Sequence, residues 1–402
     1  MIMLPNHIRH WRSQVTLLWW AQLISMAALE MSGPFWPLYL RDLGNFNTTE
    51  LQSLSAVVYV SPLGMAMFFA PIWGRMGDRF GHKAMVLRAL LALCVTQGII
   101  FFAADIITVV ICRLLQGALA GFIIAAQIYA IQIVPANKKG GVLGKLQSGT
   151  AGAMLIGPIV GGLVANSYGY RVIFIIAAML CGVCAIALYF FLINDQSQIT
   201  NTGLHQSVTP SSTSGNFSNS IVLLLLVIVC VQVAKMMPVS FFALFVEQRI
   251  SGSPFMIGIL YSSTGFTLML SAPFWGRLSD SYSSASMYRV LCIVAAFSAL
   301  TMLAHEFIDS FEALLILRLI WGLWLGAMLP VLFAVLSRLA SCDRKGQIIG
   351  VGHSATKLGG LLGIITGAVA VNAIGVEHGF TVVGVVYCAV VAIFWFMYLG
   401  LR

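Results

Sequence analysis

Long apolar runs separated by short polar breaks fill almost the whole chain. A helix that crosses a lipid bilayer needs about 20 consecutive apolar residues. Reading between the charged or turn-rich breaks gives twelve candidate membrane spans, which we number 1 to 12 along the chain. They lie at 16–40, 53–73, 84–104, 106–133, 142–164, 172–193, 221–246, 255–275, 289–305, 311–337, 348–371 and 379–400. Because these runs lack the period of two that marks barrel strands, we predict membrane helices.

Composition supports an all-α integral membrane protein. The chain has 402 residues, of which 59% are hydrophobic and 9% are charged, whereas soluble domains carry roughly 25% charged residues. A single soluble core could not hide so much apolar surface, so lipid must cover it. Cys181 and Cys184 form a CxxC inside an apolar run with no partner pair. We interpret them as packing thiols and predict no metal site.

The distribution of basic residues predicts the orientation. With the N-terminus inside, fifteen Lys or Arg residues fall in inner segments and three fall in outer segments. Because basic residues accumulate on the cytoplasmic side, we expect both termini to lie on the cytoplasmic side of a bacterial inner membrane. The net charge of +9 is therefore mostly a topology signal. No basic soluble domain exists to bind a nucleic acid, so we predict no such partner.

The chain divides into two similar halves. Residues 194–220 are polar and rich in Ser, Thr and Asn, which predicts a flexible cytoplasmic linker between a bundle at 1–193 and a bundle at 221–402. Four blocks recur in the same order at offsets of 202 to 206: 34–43 with 240–249, 68–83 with 270–285, 113–121 with 318–326, and 139–162 with 345–368. Each half has six spans, so both copies have the same orientation. We predict two pseudo-symmetric six-helix bundles around a central path that opens to one side at a time.

One repeated phrase joins spans 2 and 3. APIWGRMGD at 70–78 returns as APFWGRLSD at 272–280. We predict that 74–83 is a short cytoplasmic loop that acts as a gate, with Gly74, Asp78, Arg79, Gly81 and Lys83 as its functional residues. The glycines allow tight turns, and the Asp can hold the positive end of a neighbouring helix, most plausibly span 11. The basic residues would contact acidic groups or lipid phosphates. The alternative is a plain hairpin whose charges only set topology.

Span 5 carries a second pattern. Its small residues and its proline are Gly144, Gly157, Pro158, Gly161 and Gly162. Small residues at such spacings let helices pack closely, and a proline removes a backbone donor and bends the helix. The second half has Gly363 and Ile364 instead, so we expect the bend only in the first half.

These motifs resemble the signatures of the major facilitator superfamily. GRMGDRFGHK at 74–83 is similar to the loop signature between spans 2 and 3, although His82 stands where Arg is commoner. Arg113 and Gly117 resemble the span-4 signature RxxxG, whose arginine is linked to proton transfer in proton-coupled members. The span-5 pattern and PFWP at 34–37 resemble the drug:proton antiporters, with Ala153 in place of one glycine. The resemblance implies the major facilitator fold, alternating access driven by a proton gradient, and no bound cofactor.

Two ionisable residues lie near mid-bilayer, where a charge is costly. Glu30 lies near the middle of span 1, and Lys235 lies at a similar depth in span 7. Our hypothesis is that Glu30 accepts protons and binds cations. Low dielectric favours its neutral form, whereas a nearby Lys235 favours the carboxylate. The alternative is a permanent Glu30–Lys235 ion pair that pins the two halves together.

Further residues are candidates for the transport path. Arg113 could stabilise ionised Glu30, bind a substrate anion, or extend to the outer headgroups. Gln116 and Lys357 are further candidates for proton coupling or substrate binding. The predicted cavity lining consists of Gln22, Met26, Trp36, Tyr59, Tyr261, Trp321 and Trp324. Such aromatic and Met side chains adapt to varied apolar substrates, although each could equally be a packing residue.

The sequence therefore predicts a monomeric, proton-driven exporter of amphipathic small molecules, of the multidrug-efflux kind. The alternative is a dedicated transporter of an endogenous anionic metabolite such as a siderophore or carboxylate, since four basic residues lie within spans. Import is also open. The chain lacks the phosphate-binding GxxxxGK[ST] motif, so we expect no direct use of ATP. We expect no enzyme, because no cluster of His, Asp or Ser marks either membrane face.

Overall fold

A computed structural model of the protein describes residues 11–135, 138–193, 219–250, 252–281, 284–339 and 345–399. The described chain is helical and contains no strand. Twelve of its helical segments are long and apolar enough to cross a membrane, and they begin and end close to the predicted spans. The prediction of an all-α protein with twelve membrane helices is confirmed.

The helices follow one another with short connections. Their bounds are Trp11–Glu30 and Trp36–Leu43 (span 1), Thr48–Phe80, His82–Phe102, Ile106–Leu119 and Phe122–Ile133 (span 4), Lys139–Tyr168, Tyr170–Phe191, Asn219–Met236 and Phe242–Arg249 (span 7), Pro254–Ser281, Ser284–His305, Phe311–Leu339, Lys345–Ile374 and Gly379–Leu399. Spans 1, 4 and 7 are each built from two helices.

The breaks in spans 1 and 7 are equivalent. A 3-10 turn, Gly33–Phe35, separates the two helices of span 1, and Met237–Ser240 does the same in span 7. Each turn contains a proline, which cannot donate the backbone hydrogen bond that a continuous helix needs. Both halves of the chain therefore interrupt their first span near the middle of the predicted membrane segment.

Span 4 is broken where its repeat, span 10, is not. Gly121 has a φ of +90°, a left-handed conformation that favours glycine. The equivalent Gly326 lies inside the continuous helix Phe311–Leu339. A Cβ on Gly326 would lie 2.0 Å from Ser271 Oγ, so this glycine serves close packing. The same glycine of the repeat thus breaks the helix in span 4 and allows close packing in span 10.

The predicted loop at 74–83 is wrong in extent. Span 2 stays helical through these residues until Phe80, and the next helix begins at His82. Gly81 alone makes the connection, with a φ of +88°. The preceding glycines do not end the helix, because a single residue with positive φ is enough to reverse the chain.

The described chain forms two compact units. Unit 1 contains Met1–Asn45, Val57–Gln206 and Ser253–Ser262, and unit 2 contains Phe46–Ala56, Ser207–Gly252 and Ser263–Arg402. The segment that begins span 2 therefore groups with unit 2, and the segment that begins span 8 groups with unit 1. The sequence division places each of them in the opposite bundle. The predicted linker lies outside the described residues from 194 to 218, so its flexibility stays a prediction.

Within unit 1, glycines of span 5 bring its backbone against span 1. A Cβ on Gly161 would lie 2.1 Å from the Met31 carbonyl oxygen, and a Cβ on Gly157 would lie 2.6 Å from Glu30 Cβ. Gly162 also packs closely, against the Pro254 carbonyl oxygen at 2.5 Å from a Cβ position. Around Gly144, in contrast, a Cβ would meet nothing within 4 Å. A Cβ on any of the first three glycines would therefore clash with its neighbour, whereas Gly144 lies in open space and does not serve close packing.

Unit 2 repeats the same packing between spans 7 and 11. Cβ atoms on Gly359, Gly363 and Gly367 would lie 2.3 to 2.6 Å from carbonyl oxygens of span 7. Pro158 lies inside the helix of span 5, and no proline interrupts span 11. The two units share their packing geometry even where the proline is absent.

Candidate functional site

Glu30 is the last residue of the first helix of span 1. The helix ends there because the 3-10 turn follows at Gly33. The side chain is half-buried. Its Oε2 would lie 3.3 Å from a Cβ on Gly33, and its Cβ faces Gly157 of span 5. The only mid-span acid that the sequence placed in the first half therefore lies at a helix break, enclosed by glycine backbone.

Arg113 is the cation that acts electrostatically on Glu30. Its Nε donates to the Val58 carbonyl oxygen at 2.8 Å, and its Nη1 donates to Gln116 Oε1 at 2.9 Å. Its Cζ lies 4.7 Å from the centre of the Trp36 ring. Because these contacts point into the unit, the alternative that Arg113 extends to the outer headgroups is wrong.

Glu30 makes no ion pair within 4 Å among the described residues of unit 1. Arg113 therefore acts on it across a gap and not through a salt bridge. Lys235 belongs to unit 2, where it is half-buried near the end of the helix Asn219–Met236. The Glu30–Lys235 ion pair stays a prediction.

Trp36 does not stand free in a cavity. It is 1% exposed and packs against Phe174 at 5.1 Å and Tyr39 at 6.1 Å between ring centres. The Tyr39 hydroxyl donates to the Ile100 carbonyl oxygen at 2.8 Å, which fixes this aromatic cluster to span 3. Its predicted role as cavity lining gives way to packing, since the buried ring contacts Arg113, Phe174 and Tyr39.

One tyrosine, Tyr59, contacts the turn beside Glu30, and a second, Tyr261, acts on Tyr59. Tyr59 is 8% exposed, and its hydroxyl donates to the Gly33 carbonyl oxygen at 2.6 Å. It interacts electrostatically with Arg113, Glu30 and Tyr261. The 3-10 turn next to Glu30 is therefore tied to span 2, and the phenols add polar groups without adding a charge.

Gln22 and Met26 serve packing in this structure. Gln22 is fully buried, and its Nε2 donates to the Leu146 carbonyl oxygen at 3.0 Å and to Thr150 Oγ1 at 2.7 Å. It therefore joins spans 1 and 5, and its assignment to a cavity wall is wrong. Met26 is half-buried and packs against the apolar core of unit 1.

The predicted residues of unit 2 lie in several places. Trp321 is 3% exposed and lies under Arg318, whose Cζ is 5.0 Å from its ring centre. Trp324 stacks on Phe297 at 4.8 Å. Trp321 therefore packs inside unit 2 and is not an open cavity wall. Trp324 is half-buried beside the exposed Phe297, so its role in a cavity stays a prediction. Lys357 is exposed on span 11, where a charged substrate group could reach it.

The predicted gate residues are only partly described. The side chains at positions 74 and 78 lie outside the described residues, so a latch formed by Asp78 stays a prediction. Arg79 is exposed and lies over the Phe80 ring at 5.4 Å. The Nζ of Lys83 donates to the carbonyl oxygens of Tyr189 and Leu192. Lys83 thus caps the end of span 6, and its contact with acidic groups or lipid phosphates stays a prediction.

The tryptophan of the repeated phrase has a role that the sequence reasoning missed. Trp73 Nε1 donates to the Ala118 carbonyl oxygen, and the equivalent Trp275 Nε1 donates to the Leu323 carbonyl oxygen at 3.0 Å. In unit 1, Arg88 also lies over the Trp73 ring at 3.5 Å and donates to the Ala120 carbonyl oxygen at 2.8 Å. The internal repeat could have indicated this role, because both tryptophans and both carbonyl groups lie in repeated blocks of the sequence.

Comparison with known proteins identifies the family. The chain matches the Major Facilitator Superfamily over residues 18–250 and 224–402, which together cover nearly its whole length. The chain belongs to the major facilitator superfamily. It is a multi-pass membrane transporter and not an enzyme.

Its relatives are transporters with different named substrates. The chain is 29% identical over 388 residues to the staphyloferrin B transporter of Staphylococcus aureus, covering 94% of this chain and 91% of the relative. It is 30% identical over 387 residues to the multidrug resistance protein MdtG of Salmonella arizonae, covering 95% and 93%. These two relatives are about equally similar to this chain but have different named functions. The comparison therefore shows the superfamily and does not show the substrate.

Solved structures agree on the fold. A D-xylose-proton symporter aligns with a TM-score of 0.74 at 15% identity, covering 95% of this chain and 96% of that chain. A bacterial homolog of the human lysosomal transporter Spinster aligns with a TM-score of 0.74 at 12% identity, covering 95% of each chain. At these identities the likeness extends to the fold alone.

Proposed function

We propose that this protein exports amphipathic small molecules across a bacterial inner membrane in exchange for protons, with Glu30 as the group that exchanges the proton. The observation that carries the proposal is the environment of Glu30. It is a half-buried carboxylate at a helix break, under the field of Arg113 but without an ion pair in unit 1.

Such a carboxylate can hold either a proton or a cationic substrate. Low dielectric makes an isolated carboxylate costly, so a neutralising partner is favoured. Because the two partners compete for one group, binding of one releases the other, and this competition is exchange. Arg113 limits the affinity for both, since a nearby positive charge stabilises the ionised acid. The MdtG relatives, named as multidrug resistance proteins, support this substrate class.

Glu30→Gln in proteoliposomes tests the proton role. We expect the variant to lose substrate movement driven by an imposed pH gradient, because an amide neither binds nor releases a proton at neutral pH. Exchange of labelled for unlabelled substrate without a gradient should continue but need a higher substrate concentration, because the amide removes a charge that binds the cation and leaves the rest of the transport path intact. Glu312→Gln, at an exposed acid in the first turn of span 10, is the matched control and should behave as the native protein. Gradient-driven transport that survives unchanged in Glu30→Gln would show that the proton role is wrong.

A second candidate function is transport of an endogenous anion. Two observations favour it: Arg113 and the 4% exposed Arg318 are enclosed cations, and one relative is named a staphyloferrin B transporter. A panel of lipophilic cations and metal-chelating carboxylates, offered on both sides of the proteoliposome membrane, separates the two functions. Movement of cations alone supports the drug exporter, and movement of carboxylates alone supports the anion transporter.

A further inference from the structure

Each half of the chain places an arginine over an aromatic ring at equivalent positions. Arg113 Cζ lies 4.7 Å from the ring centre of Trp36, and Arg318 Cζ lies 4.2 Å from that of Phe242. The arginines are 205 residues apart and the aromatic residues are 206 apart, which are the offsets of the internal repeat. In each unit, such a pair therefore joins the fourth span to the first span through the same kind of contact.

The two pairs differ in their rings, since Arg318 also lies 5.0 Å from the ring centre of Trp321, and they differ in the presence of an acid. Glu30 stands six residues before Trp36, and the position 206 residues after Glu30 is Met236. Only the pair in unit 1 thus has an acid at that position. The pair in unit 2 shows what the cation–aromatic contact does for folding alone, and it provides a control inside the same molecule.

Trp36 restrains Arg113 from a direction that its hydrogen bonds leave open. The hydrogen bonds to Val58 and Gln116 hold the Nε and Nη1 groups, and the ring covers the guanidinium. A cation over an indole face gains most when water is excluded, and Trp binds a cation better than Phe does. Trp36 is itself fixed, because it is 1% exposed and packed between Tyr39 and Phe174.

Building on the proposed proton exchange at Glu30, we infer that Trp36 is a positioning residue that keeps Arg113 beside Glu30 and not in an ion pair with it, and so sets the pH at which Glu30 exchanges its proton. Within unit 1 the charged or titratable groups that act on this site are Arg113 from span 4, Tyr59 from span 2 and, through Tyr59, Tyr261 from span 8. Of these, Arg113 is the cation that can approach Glu30 more closely. An ion pair would stabilise the carboxylate, and protonation would then need a lower pH.

The test is a titration of Glu30 that does not depend on transport. A hydrophobic carbodiimide modifies protonated carboxyl groups in apolar surroundings, and peptide mass spectrometry measures the modified fraction at Glu30 as a function of pH. Trp36→Met keeps an apolar side chain without a π face, although it is smaller than the indole, and Trp36→Phe keeps a weaker π face. Phe242→Met is the control in unit 2. Glu30→Gln gives the blank.

We expect the labelling midpoint to move toward lower pH by about half a unit to one unit in Trp36→Met, and by less in the same direction in Trp36→Phe. Phe242→Met should leave it unchanged even if it lowers the unfolding temperature equally. The inference is overturned if both Trp36 variants titrate as the native protein, or if Phe242→Met shifts the midpoint as far. Should Trp36→Met give no folded protein, Trp36→Phe decides alone.

Failure of this inference is distinguishable from failure of the proposed function. If Glu30→Gln keeps gradient-driven transport while Trp36→Met still shifts the labelling midpoint, Trp36 positions Arg113 but Glu30 is not the coupling group. If Glu30→Gln loses coupling and both Trp36 variants titrate as the native protein, the coupling group stands and the positioning role is overturned.

Discussion

Single cations of unit 1 are held by neutral oxygen atoms. Arg113 donates to the Val58 carbonyl oxygen, Arg88 to that of Ala120, and Lys83 to that of Tyr189. A carbonyl dipole compensates part of a positive charge without neutralising it, which is a recurrent solution for charges within membrane segments. Because Arg113 is held in this way without an acidic partner of its own in the hydrogen bonds named, its positive charge can still act on Glu30.

Asp105, just before span 4, offers a test of a single cap. Its carboxylate accepts hydrogen bonds from Thr108 N at 2.8 Å and Thr108 Oγ1 at 2.9 Å. These bonds lower the pKa of Asp105 below its ordinary value of 3.8. A lowered pKa in the folded state means that the stabilisation is complete above the ordinary value and is lost as the pH falls through the folded value.

We therefore expect Asp105→Ala to lower the unfolding temperature in detergent at pH 7 and to differ less from the native protein near pH 3. Asp105→Asn should keep most of the stability at pH 7, because an amide oxygen also caps a helix. The measurement is the unfolding temperature as a function of pH. A constant difference between Asp105→Ala and the native protein at every pH would contradict the cap.

At the scale of helices, the glycines of span 5 predict where its packing is tight. A Cβ on Gly161 would lie 2.1 Å from the Met31 carbonyl oxygen, a backbone atom that cannot move aside cheaply. We expect Gly161→Ala to destabilise the protein by about 1–3 kcal/mol. Gly144→Ala is the control, since its Cβ would meet nothing within 4 Å. Unfolding in mixed detergent micelles measures both, and equal stabilities would show that spans 1 and 5 do not pack through this glycine.

The sequence predicted the existence of helices far better than their interruptions. Hydropathy depends on composition along a segment, so all twelve spans could be read. It does not show that Gly121 takes a positive φ while the repeated Gly326 stays helical, because neighbouring helices decide that. For the same reason, the glycines at 74–80 predict a loop although the helix continues to Phe80.

The rotation of helices limited the prediction of the site. Spans that are apolar all around give no clear buried face, so the sequence alone does not show that Gln22 points at span 5 and not into a cavity. Glu30 and Arg113 could be predicted because a charge in a membrane span needs an explanation wherever it lies. The role of Trp36 could not, since one aromatic residue among many carries no signal until its neighbours are known.

At the scale of the whole molecule, the internal repeat made the architecture predictable from the sequence. The repeat offsets predicted two similar bundles, and the compact units repeat the same glycine packing between their first and fifth spans. The segments Phe46–Ala56 and Ser253–Ser262 group with the other unit than their sequence position suggests. No residue pattern in either segment predicts this grouping, because the grouping depends on contacts in three dimensions.

The orientation of the whole chain is the last property that can be tested. Fifteen inner against three outer basic residues predict cytoplasmic termini, and an even number of spans places both termini on one side. In a variant with all eight cysteines replaced, Glu377→Cys lies in an exposed connection that should face outward, and Lys138→Cys lies in one that should face the cytoplasm. A membrane-impermeant maleimide should label Glu377→Cys in intact cells and Lys138→Cys only after permeabilisation. Labelling of Lys138→Cys alone in intact cells would invert the topology, and with it the side from which Arg79 and Lys83 act.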